Sequence, residues 1–106
     1  AGMSATAAAA ILVCGAQKNL PSPAFWPLDC AAATQNLLLA AHDQGIGSVW
    51  CGVYPQKELM QNFQKFCRLP ADIIPFAYIA LGYPAKTTKT NPPPRFEKNR
   101  IHLNQW

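Results

Sequence analysis

The stretch that most constrains this chain is "WPLDCAAATQNLLLAAHDQG", residues 26 to 45. Ala and Leu dominate it, which favours a helix. Pro27 suits a first helical turn, Asp29 complements the positive end of the helix dipole, and Gly45 is a stop signal. Leu28, Ala31, Ala32, Leu37, Leu38, Leu39, Ala40 and Ala41 then occupy nearly every face. A helix that is apolar all round is buried on all sides. The whole chain has 106 residues to do the burying, half of them hydrophobic and only 13% charged. A chain of this size covers a smaller share of its surface than a larger domain does. The expectation is therefore an obligate oligomer, with this helix central and packed at a subunit interface. Ala31, Ala32 and Ala33 would allow close approach of a second helix.

The remaining segments alternate in type. "AAILVCG", residues 9 to 15, is a continuous apolar run that reads as a strand buried on both faces. "AQKNLPSPAF" follows as a loop. "GSVWCG", residues 47 to 52, reads as a short strand, and Pro55 opens a second helix through "QKELMQNFQKFC". Leu59, Met60, Phe63 and Phe66 recur there at helical spacing and read as core. "RLPADIIP" reads as a turn, and "FAYIALGYP", residues 76 to 84, as another doubly buried strand. The order strand, helix, strand, helix, strand predicts one α/β-like three-layer domain over residues 1 to 106, with helices covering a sheet. The tail "AKTTKTNPPPRFEKNRIHLNQW" is predicted to run extended over a surface, with Ile101, Leu103 and Trp106 as anchors.

Charge and cysteine usage narrow the chemistry. The net charge is +4, and Lys86, Lys89, Arg95, Lys98 and Arg100 cluster late. A nucleic-acid binder would use such a tail, but no aromatic–basic repeat accompanies it. A phosphorylated small molecule needs only one or two of these charges. Cys14, Cys30, Cys51 and Cys67 form no C-x-x-C, and no His pair stands at zinc-ligand spacing. Each lies in an apolar stretch, which predicts unpaired thiols in a reducing compartment. The opening "AGMSATAAAAILVCG" has no basic n-region and reads as neither a signal peptide nor a membrane span. Cys51 lacks a neighbouring base to make it a nucleophile. Asp29 has no paired carboxylate, since Glu58 and Glu97 are far along the chain, and it reads as a helix cap. His42 favours a helix C-terminus, and His102 has no identifiable partner. "GIGSVWCGVYP", residues 45 to 55, has two readings. It is a helix–loop–strand junction, or a strand end where backbone meets a flat ligand.

The segments "DCAAATQNLLLAAHDQGIGSVWCGVYP", "LPADIIPFAYIALGYP" and "PPPRFEKNRIH" resemble the C-terminal part of the FMN-dependent nitroreductase family. The resemblance covers residues 9 to about 102. It implies an α+β fold with a mixed sheet, a cytoplasmic homodimer, and one FMN at each subunit interface. It implies electron transfer from NADH or NADPH to nitroaromatics, quinones or related acceptors, with no nucleic-acid or membrane partner. By similarity, Ser48, Val49, Trp50, Cys51 and Gly52 lie along one side of the flavin ring, with backbone N–H groups near Cys51 and Gly52 meeting N5 or O4. Trp50 taken alone reads as a core aromatic. Arg95 is the residue the resemblance assigns to the FMN phosphate, ahead of Lys86 and Lys89. The family's Arg-rich R-R-S-x-R motif and its Pro-Ser-x-x-Asn segment have no counterpart in this sequence, so the resemblance is to roughly the second half of such an enzyme. The competing reading is a non-catalytic, truncated nitroreductase-like chain that dimerises without flavin.

Overall fold

Alternating signals along the chain become a split β-α-β unit followed by a helix and a central strand. The computed structural model describes residues 2–18, 20–85 and 91–106. Strand β1 is Ala9–Ala16, helix α1 Trp26–Asp43, strand β2 Gly47–Gly52, helix α2 Lys57–Phe66 and strand β3 Ile73–Gly82. Short 3₁₀ turns occupy Gly2–Ala5, Pro23–Phe25 and Lys98–Arg100. The sheet order is β1-β3-β2, and β3 runs antiparallel to both neighbours. β1 and β2 are therefore parallel to each other, with α1 as their crossover. The α+β class is the one expected, with only antiparallel pairings among the described residues.

Side-chain alternation assigns the helices to opposite faces of the sheet. Ile79 faces α1, where Trp26 and Cys30 join Phe76, Ala77 and Ile79 in the buried cluster. Its neighbour Tyr78 points the other way and meets Phe63 of α2, with ring centroids 5.6 Å apart. The result is three layers. Gly15 of β1 is needed at this packing, because a Cβ there would overlap the Trp26 indole. We predict that Gly15→Ala lowers stability by about 1–3 kcal/mol through overpacking. Urea unfolding should show a lower midpoint at unchanged slope.

Helix α1 ends as its sequence dictates. Gly45 takes φ of 73°, its N–H donates to the His42 carbonyl at 3.0 Å, and the Ile46 N–H donates to the Ala41 carbonyl at 2.9 Å. That pair of bonds is the Schellman arrangement. Thr34 is fully buried, and its hydroxyl is satisfied by donating to the Cys30 carbonyl at 2.7 Å. The helix start differs from expectation. Phe25 holds the cap position with no side-chain cap bond, and Asp29 sits inside the first turn. Asp29 thus complements the dipole without capping.

Other expectations need correction. Helix α1 is not covered on all sides within one chain: Leu28 is 64% and Leu39 58% exposed. It has one sheet face to pack on, so the opposite stripe is left open. β1 is not buried on both faces either, since it is an edge strand whose only buried residue is Gly15. β3 begins at Ile73, where a turn was predicted. Pro75 is tolerated inside it because β2 ends opposite Ala77, and a bulge lies next to it. Val13 pairs with Ala77 and Cys14 with Pro75, leaving Phe76 unpaired on the β1 side.

Residues 91–106 are exposed throughout and contain no strand. Ile101, Leu103 and Trp106 are 54%, 82% and 100% exposed, so they do not anchor the tail to this chain's core. Trp106 stacks on His102 within the tail at 4.3 Å, and Arg100 pairs with Glu97. The radius of gyration is 17.0 Å, where a compact domain of this length has about 13 Å.

Candidate flavin-facing edge of strand β2

Strand β2 stands at one edge of the sheet, with β3 as its one strand partner among the described residues. Its ladder phase follows from one bond. The Val53 N–H donates to the Phe76 carbonyl at 3.1 Å. In an antiparallel pair, alternate residues turn their backbone groups toward the partner. Val49, Cys51 and Val53 are then spent on β3. Ser48, Trp50 and Gly52 present their N–H and carbonyl groups at the open edge. Of the N–H groups near Cys51 and Gly52, the one at Gly52 points away from β3 and has no partner among the described residues.

The five consecutive residues 48 to 52 share this edge, but their side chains do not share a face. Trp50 packs with the α1-side core, its ring 5.9 Å from Phe76. It joins an aromatic group with Trp26 and Tyr54, whose rings meet edge-on at 4.9 Å. Its side chain is thus a core aromatic, as its bland reading has it. Val49 and Cys51 point to the α2 side. Val49 and Ser48 border a shallow recess of about 230 Å³ that Thr6, Ala7 and Tyr83 also line. Cys51 and Gly52 border a cavity of about 370 Å³ shared with Ser4, Val53, Leu59, Phe63 and Tyr78.

Gly52 is exposed, and a Cβ added there would meet nothing within 4 Å. Its φ is not positive. Neither packing nor backbone conformation requires glycine at this position, in contrast to Gly15 and Gly45.

Arg95 lies in exposed coil and makes no hydrogen bond or ion pair among the described residues. Among the described residues, no hydrogen bond, ion pair or ring contact brings it to β2. Lys86 and Lys89 lie outside the described residues. The four cysteines are free thiols. Burial raises the Cys14 thiol pKa, and nearby Cys67 and Cys30 add to the shift. Burial and the charge of Asp29 raise that of Cys30. Both groups are held as thiols, the opposite of what an activated nucleophile needs. Among the described residues, no cluster of acidic, His or Cys side chains is arranged to hold a metal ion. No helix there is long and apolar enough to cross a membrane.

Reading Leu59 and Phe63 simply as core missed their place beside Cys51. Period-two alternation sets Tyr78 on the face opposite Ile79, but that α2 meets it there is a matter of tertiary packing.

The model of the nitroreductase family matches residues 2–83. Two relatives carry the name "Putative NADH dehydrogenase/NAD(P)H nitroreductase". The one from Methanothermobacter thermautotrophicus is 43% identical, over 92% of this chain and 50% of its own length. The one from Archaeoglobus fulgidus is 45% identical, over 94% of this chain and 59% of its own. This chain therefore spans about half the length of the relatives it matches. A crystal structure of the same name from Bacteroides thetaiotaomicron superimposes with a TM-score of 0.82 at 41% identity, covering 94% of this chain and 56% of that one. A nitroreductase with bound FMN from Bacteroides fragilis superimposes with a TM-score of 0.70 at 23% identity, covering 96% and 54%, and shows likeness of fold. With its split β-α-β unit, its α1 and β2 and a family match over residues 2–83, this chain belongs to the nitroreductase family.

Proposed function

We propose that this chain is the flavin-facing part of a cytoplasmic, FMN-dependent oxidoreductase. It would pass electrons from NADH or NADPH to nitroaromatic, quinone or similar acceptors. Gly52 is the observation that carries the reading. A glycine within a strand costs on the order of 0.5–1 kcal/mol relative to alanine, and nothing in the fold requires this one. The missing Cβ leaves room for a flat group against the strand, and the Gly52 N–H points out at the open edge beside it. The residues present thus fit the ring of a flavin. Bound FMN supplies the two-electron chemistry itself. The chain holds a fixed backbone donor at the ring edge and, through Trp50 and Phe76, keeps the strand that carries it rigid. FMN in the related fold from Bacteroides fragilis supports the same cofactor here.

Arg95 is proposed to bind the phosphate. Its guanidinium is exposed and unpaired among the described residues, and its fork suits a phosphate dianion. Losing one charge-assisted contact costs about 1.5–3 kcal/mol, roughly ten- to a hundredfold in affinity. Arg95→Ala should weaken FMN binding and leave riboflavin, which has the same ring and no phosphate, nearly unaffected. Equal loss for both ligands would assign Arg95 to the fold or the ring pocket. The reading as a whole is tested by titrating FMN into the purified chain and following NADH-dependent reduction of a quinone. A chain that takes up no flavin would favour the non-catalytic, dimerising alternative.

The chain is also proposed to be a homodimer. The open stripe of α1, with Leu28, Ala32 and Leu39, supports this, since apolar area of that kind is covered by a partner. Leu39→Asp should give a folded monomer in sedimentation. Leu38 packs against the core cluster instead, so Leu38→Asp should unfold the chain. A wild-type monomer at micromolar concentration would contradict the dimer.

A further inference from the structure

Helix α2 crosses the sheet from one edge toward the other. Leu59 borders the same cavity as Cys51 of β2. One turn on, Phe63 meets Tyr78 of β3, with ring centroids 5.6 Å apart. β1 is the next strand in the sheet order. Neighbouring strands lie about 4.8 Å apart, and four helical residues advance about 6 Å. A further turn brings the same helix face over β1, and the residue at that spacing is Cys67. Helical geometry continues to it, since its N–H donates to the Phe63 carbonyl at 2.9 Å.

Cys14 is the thiol that β1 offers on this side. Leu12 pairs with Tyr78 and Cys14 with Pro75, and Pro75 lines a groove with Met60 and Gln64 of α2. Gly15 faces Trp26 on the α1 side, so strand alternation turns Cys14 toward α2. Cys30 belongs to the buried cluster on the other face of the sheet. The electrostatics agree with this placement. Burial is the first cause of the raised Cys14 pKa, and Cys67 leads the neighbouring groups that add to it. Cys67 is exposed and Cys14 partly buried, so an oxidant in solution meets Cys67 first.

We infer that Cys14 and Cys67 are a redox pair that closes to a disulfide when the chain meets a peroxide, pinning the C-terminal end of α2 to β1. The Cys67 sulfur attacks one oxygen of hydrogen peroxide, the O–O bond breaks, and a sulfenic acid and one water result. The Cys14 sulfur then attacks the Cys67 sulfur, gives up its proton, and expels the second water as the S–S bond forms. Two thiols lose two electrons and two protons, and one peroxide becomes two waters. Such a bond is transient in a reducing compartment, which accords with four thiols that are otherwise free. The inference stands apart from the flavin reading and does not need it.

The test treats the purified, reduced chain with stoichiometric hydrogen peroxide at low protein concentration. The intact mass should fall by two hydrogens. Trypsin without reductant should release residues 66–68 joined to the peptide that ends at Lys18, because Lys65 and Arg68 flank the Phe66–Cys67 pair. The linked chain should melt roughly 10 °C higher, a gain that dithiothreitol removes. Cys14→Ser should leave a sulfenic acid on Cys67 that dimedone traps. Four surviving thiols, a Cys14–Cys30 link, or a Cys67–Cys67 link between two chains would each overturn the inference. So would Cys67 driven to sulfinic acid beside a free Cys14 thiol, or a linked chain that melts no higher.

Discussion

Phe76→Ala should bring the chain close to unfolding at ambient temperature. The Phe76 ring is 8% exposed and meets three others, those of Trp26 at 6.1 Å, Trp50 at 5.9 Å and Tyr54 at 6.1 Å. Its carbonyl accepts from both Val53 and Tyr54, at 3.1 and 2.9 Å. It is thus the point where α1, the end of β2 and the bulge of β3 converge. Removing a buried Phe costs about 3–5 kcal/mol. Ordinary domains have about 5–15 kcal/mol in total, and small ones lie at the low end. Urea unfolding followed by tryptophan fluorescence should show a midpoint lowered by more than about 1 M. Phe66→Ala, at a position 86% exposed, should shift stability by less than about 0.5 kcal/mol. Similar losses for the two would mean that the aromatic group around Phe76 does not organise the fold.

Gly52→Val should leave the fold intact and remove most of the FMN affinity. A β-branched residue suits a strand, and the space beside Gly52 is open, so the melting temperature should hold. The new side chain would stand where the ring approaches and would displace it from the Gly52 N–H. Overpacking and one lost hydrogen bond together cost on the order of 2–4 kcal/mol, roughly thirtyfold to several hundredfold in affinity. Fluorescence titration of FMN reads this directly. Unchanged affinity in a folded variant would remove Gly52 from the site.

Local signals carried much of the fold. Pro27 and Gly45 bracketed α1 closely, and "GSVWCG" marked β2 to the residue. These features are legible because caps, breakers and glycine act on their own neighbours. Ile73 to Pro75 were not legible as strand, because Pro75 signals a break unless a bulge and a missing neighbour strand excuse it. The apolar content of β1 and α1 announced that something must cover them. It did not say whether that cover lies within this chain, and Leu28, Leu39 and Ile11 show that it does not. In the candidate site, the Trp50–Cys51–Gly52 run was legible by resemblance. The division of its side chains between faces followed from strand period alone. The wall formed by Phe63 and Tyr78 needed tertiary structure, since it joins α2 to a strand across the sheet face. Composition and spacing could not place Arg95 relative to β2, because no local rule fixes where a Pro-rich tail runs.

Under the proposed function, FMN lies against the open edge of β2. Amide-resolved NMR of the chain during an FMN titration tests it most directly. The largest shifts are expected at Gly52 and Trp50, whose N–H groups face the edge, and smaller ones at Cys51, whose N–H is held by β3. The largest shifts elsewhere, or no shift at saturating FMN, would contradict it.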